Sequence, residues 1–141
     1  MRVLVLAVCL LLGLVTIGAV QSAPAVCDAG EARAFVALQD NPNYLAGTIP
    51  ASFTGDSLYF ARRYNCRGGG VQVRRVGLGS YEVRFPSQRP VLALATAISD
   101  EGITASVFPL GNDTVRVSLR GPLGGLDVAT RRDVAFSVVI F

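Results

Sequence analysis

The chain has 141 residues, room for one domain behind a targeting segment. Its 13 basic residues are all arginine, opposed by 10 acids for a formal charge of +3, and there is no histidine. That excludes Ser-His-Asp and Cys-His machinery and any histidine metal ligand, and so small a charge gives no reason to expect nucleic acid as a partner. Arginine without lysine is what GC-rich coding produces; selection for bidentate anion recognition is the alternative.

Met1-Arg2 precedes an apolar run over residues 3–20, and Gln21-Ser22-Ala23-Pro24-Ala25 follows. One positive charge, an apolar stretch and small residues at Ala23 and Ala25 predict a secretory signal peptide over 1–25, leaving a single β-domain over 26–141. Cleavage after Ser22 is the other processing site. A retained leader would be a membrane anchor, since 18 apolar residues are at the lower edge of a span. The expected location is secreted or at the cell surface.

Cys9 falls within the leader, so Cys27 and Cys66 remain as an even pair in an oxidising compartment, which predicts a disulfide. Closing a loop of this length is worth about 4 kcal/mol in the chain-entropy picture.

Residues 34–38, A-F-V-A-L, read as a first buried strand; a helix begun at Asp28 with Glu31 three residues on is the rival. Residues 39–56 carry Pro42, Pro50, Gly47 and Gly55 and read as a loop excursion from the β framework. Residues 57–64 resume a strand, and Gly68-Gly69-Gly70 makes a turn. Over residues 71–85, V-Q-V-R-R-V-G-L-G-S-Y-E-V-R-F, two alternating runs flank Gly77-Leu78-Gly79-Ser80. Tyr81, Val83 and Phe85 point inward, and Ser80, Glu82 and Arg84 point outward, the signature of a hairpin.

Residues 91–97 are almost continuously apolar and read as a central strand covered on both faces. Residues 103–108 and 114–120 alternate about a turn at 110–113, with Val115, Val117 and Leu119 inward. Residues 121–132 read as a glycine-containing loop, and 134–141 close the chain as an apolar strand. The expected fold is all-β, a small antiparallel β-sandwich or barrel-like domain of seven to eight strands.

No catalytic residue, cofactor site or metal site is marked. The glycines neither precede a helix nor follow the phosphate-loop spacing. Asp100, Glu101 and Asp113 are turn residues without calcium-loop spacing. Asn112-Asp113-Thr114 is a glycosylation sequon. Arginines 62, 63, 67, 74, 75 and 84 fall within 23 residues. Where their strands are neighbours, Arg62, Arg63, Arg74 and Arg84 are candidate ligand-facing groups for an anionic glycan or an acidic surface protein. The common alternative is a solvated sheet face. Tyr44 and Phe53 are loop aromatics that line a sugar surface or pack the loop down onto its sheet.

The framework positions Gly79, Tyr81, Val83 and Phe85 (G-x-Y-x-V-x-F) are followed by Ala93 and Ala95, by T-V-R-V-S-L at 114–119 and by F-S-V-V-I at 136–140. Over 71–141 this resembles a small β-module of secreted bacterial, especially actinobacterial, proteins and of tail-fibre-like and collagen-like surface proteins. The resemblance implies a β-module with no established catalytic residues. The 39–56 excursion and the cysteine pair depart from it. Together these readings predict an exported non-catalytic protein with a binding or structural role. A small extracellular enzyme inhibitor and a trimeric fibre-head-like module are the alternatives.

Overall fold

The computed structural model describes residues 27, 30–39, 46–99, 102–121 and 132–141. The leader, Asp28, Tyr44, Asp100, Glu101 and most of the 121–132 loop lie outside the described residues. Eight strands form two antiparallel sheets: β1 (Ala34–Leu38), β2 (Phe60–Asn65), β3 (Gln72–Gly77), β4 (Ser80–Arg84), β5 (Ala93–Ile98), β6 (Thr104–Gly111), β7 (Thr114–Arg120) and β8 (Ala135–Ile140). Sheet A runs β2-β1-β8-β5 and sheet B runs β3-β4-β7-β6. The fold is a sandwich of two open sheets, not a closed barrel.

The alternation seen in the sequence builds the core. Val36, Val73, Tyr81, Val83, Val115, Val117, Leu119, Phe136 and Ile140 are fully enclosed between the sheets. The Tyr81 and Phe136 rings meet across the gap at 5.1 Å, tilted by 47°. Each enclosed residue of this size contributes about 1.5–3 kcal/mol of burial.

Gly79 makes the β3–β4 turn at φ +55°, and a Cβ there would stand 2.7 Å from the Leu119 carbonyl oxygen. The glycine is thus required by its backbone conformation and by the close approach of β7.

Two expectations are corrected. Residues 91–97 do not form a central strand: β5 is the edge of sheet A, begins at Ala93 and exposes Leu94. Alanine at 93, 95 and 97 faces the core, and the leucine side has no second layer among the described residues. Residues 57–59 are not strand but a 3-10 turn, because the Asp56 carboxylate accepts the Leu58 N–H at 3.0 Å and caps it. β2 therefore starts at Phe60, and a bulge opposite Ala37 and Leu38 turns both Phe60 and Arg63 toward the core side.

The described part of the 39–56 excursion lies along sheet B rather than standing free. The Arg75 N–H donates to Pro50 O at 2.9 Å, and Thr54 pairs with Val73 in both directions at 2.9 Å. This segment covers much of the exposed edge of β3.

Candidate functional site

The predicted ligand-facing arginines divide between two sheets, because the turn at Gly68-Gly69-Gly70 crosses from sheet A to sheet B instead of closing a hairpin. Arg62 is exposed on sheet A, in register with Ala37. Arg63 is tied down at the sandwich edge: its guanidinium donates to Gly55 O at 2.7 Å and Val71 O at 3.2 Å and lies over the Phe60 ring. Arg74 and Arg84 come together on the outer face of sheet B, where both guanidiniums stack on Phe53, at 4.5 and 4.1 Å. Tyr44 lies outside the described residues. Cys27 and Cys66 form the expected disulfide, with Cα atoms 5.4 Å apart.

Sheet B presents a charged outer row. Arg74, Glu82, Arg116 and Phe108 occupy one register across all four strands. Glu82 is buried beneath its two partners; Arg74 Nε donates to it at 2.8 Å and Arg116 Nη2 at 2.6 Å. Burial opposes its charge, but the hydrogen bonds from Arg116 and Arg74 prevail and hold the carboxyl below its usual range. Such a carboxylate is a locked anion, unsuited to general acid or base work near neutrality.

A second carboxylate is locked at the end of the sandwich by the β3–β4 turn. Asp133 accepts from Arg75 Nη2 at 2.7 Å, from the Gly79 N–H at 2.8 Å and from the Tyr81 hydroxyl. Burial opposes the Asp133 charge, yet the donors from Arg75, Tyr81 and Gly79 hold its pKa low, while burial and then Asp133 push the Tyr81 phenol up. The isolated acid ahead of β8 carried no sequence signal for this network beyond being a charge beside an apolar strand. Among the described residues, no group of three or more Cys, Asp or Glu is placed to hold a metal ion.

The outer face of sheet A is different in kind. Tyr64, Phe35, Val139 and Leu94 stand in one register across β2, β1, β8 and β5. The Phe35 and Tyr64 rings stack at 5.8 Å, and burial pushes the Tyr64 phenol up. Leu94 is 57% exposed. The adjoining row is Arg62, Ala37, Ser137 and Thr96, so this face carries one charge over two rows. An antiparallel sandwich ordinarily turns polar side chains outward; sheet A turns this apolar row outward, with Leu94 exposed and Tyr64, Phe35 and Val139 half-buried.

These features define a disulfide-linked all-β sandwich with one charged and one apolar outer face. No protein-family model, curated protein or solved structure matches the chain.

Proposed function

We propose that the chain is an exported, non-catalytic β-sandwich with a binding or structural role at or outside the cell surface, and that it acts by associating with copies of itself. The observation that carries this reading is the apolar row Tyr64-Phe35-Val139-Leu94 on sheet A. Two copies meeting there bury apolar surface with little charge to desolvate. Sheet B is the poorer self-contact, because its outer row sets two arginines about one glutamate and like faces would repel.

The apolar character of β1 and β8 on both faces supports the same reading, since strands covered on both sides carry near-continuous apolar sequence. The two arginine-bound carboxylates support a non-catalytic role: buried Glu82 on the outer row of sheet B and half-buried Asp133 at the end of the sandwich are each neutralised by arginine. An anionic glycan is a weaker reading, because Arg74 and Arg84 already engage Glu82, Asp113 and Phe53.

Leu94→Lys tests the surface. The side chain is exposed, so the variant should melt within about 0.5 kcal/mol of the parent. Light scattering should show that the parent's association is lost in the variant. Equal association of both proteins would remove sheet A as the contact.

A further inference from the structure

The end of the sandwich that holds the disulfide forms a second uncovered surface, outside the sheet A row. Four hydrogen bonds assemble it. The Cys66 N–H and the Gln88 side-chain amide both donate to Arg33 O, at 2.9 and 3.1 Å. The Asn65 amide donates to Pro86 O at 2.8 Å, and the Phe141 N–H donates to Leu92 O at 3.1 Å. These contacts bring the start of β1, the ends of β2 and β8, and the 85–92 loop to one rim.

Two large apolar side chains project from the rim: Val91 is 79% exposed and Leu92 57%. Arg33, Arg67 and Arg89 are exposed beside them, and none forms an ion pair among the described residues. The described acids at this end are Glu31, which is exposed, and Asp113, which faces Arg84 at 3.6 Å; Asp28 lies outside the described residues. Cys27 is fixed to the rim through Cys66.

We propose that this rim seats the domain on an anionic lipid bilayer. Val91 and Leu92 enter the headgroup boundary, where exposed aliphatic side chains gain burial, and the three arginines face lipid phosphates. Charge selects a bilayer over a second copy: Arg33, Arg67 and Arg89, without an ion pair among the described residues, would oppose one another in a self-contact. The proposal does not depend on association through sheet A.

The test is co-sedimentation of the exported full chain with phosphatidylcholine vesicles, with and without phosphatidylglycerol. Binding should require the anionic lipid and weaken as salt is raised. Arg33→Gln, Arg67→Gln and Arg89→Gln combined should weaken it about a hundredfold, at about fivefold per arginine. Val91→Ser with Leu92→Ser should weaken it as well, with the Cys27–Cys66 bond and the melting temperature retained as the folding control. Leu94→Lys should bind as the parent does. Failure to bind, equal binding to neutral and anionic vesicles, or rim variants of the processed protein that bind as tightly as the parent overturns the proposal.

Discussion

Asp133 and Tyr81, 52 residues apart, are joined by a hydrogen bond from the phenol to the carboxylate. The bond fixes the approach to β8 in sheet A against the start of β4 in sheet B, and Arg75 and Gly79 donate to the same carboxylate. Asp133→Ala should therefore destabilise the domain by about 2–3 kcal/mol, since it leaves a partly buried guanidinium, a phenol and a backbone N–H without their acceptor. Urea unfolding of parent and variant checks this; a loss below about 0.5 kcal/mol would mean that the network holds nothing together.

The same groups set the pH range of stability. Glu82 and Asp133 have folded pKa values below their unfolded ones, so their stabilisation is complete above about pH 4–5 and is lost as pH falls through the folded values. Tyr81 is shifted upward, so its contribution is complete below the unfolded phenol pKa of about 10 and declines as pH rises beyond it. Thermal melts across pH should give a plateau between about pH 5 and 9 with a fall on either side. In Tyr81→Phe the alkaline fall should shrink.

Two glycines with positive φ should behave differently. Gly68 (φ +76°) has nothing within 4 Å of an added Cβ, so Gly68→Ala should cost only the left-handed backbone penalty of about 1 kcal/mol. Gly79→Ala adds contacts at 2.7–2.8 Å with the backbone of Leu119 and Arg132, and should cost well over about 2 kcal/mol. Equal melting temperatures for the two variants would contradict the turn geometry.

The disulfide closes a loop with a sequence separation of 39 and joins the chain at Cys27 to the end of β2. Cys27→Ser with Cys66→Ser should lower stability by about 2–4 kcal/mol. Non-reducing peptide mapping of the exported protein should recover Cys27 linked to Cys66; two free thiols would contradict the assignment to an oxidising compartment.

The hairpin around Gly79 and strand β7 were legible because period-two alternation puts Tyr81, Val83, Val115, Val117 and Leu119 on one face, and burial follows that face. Sheet membership was not legible. Arg62 and Arg74 are close in sequence, yet the glycine turn between their strands carries them to opposite layers, a choice made by long-range pairing of β1 with β2 and of β4 with β7. The apolar run around Leu94 signalled cover on two faces; what it records is one face on the core and one outward. The Asp133 network depends on three donors converging from β3, β4 and their turn, which no local spacing encodes.

Association of copies through the outer face of sheet A is checked by sedimentation equilibrium of the exported chain over a wide concentration range. The mass should rise to a fixed multiple of the monomer and return to the monomer in Leu94→Lys. A parent protein that stays monomeric at the highest concentration would contradict it.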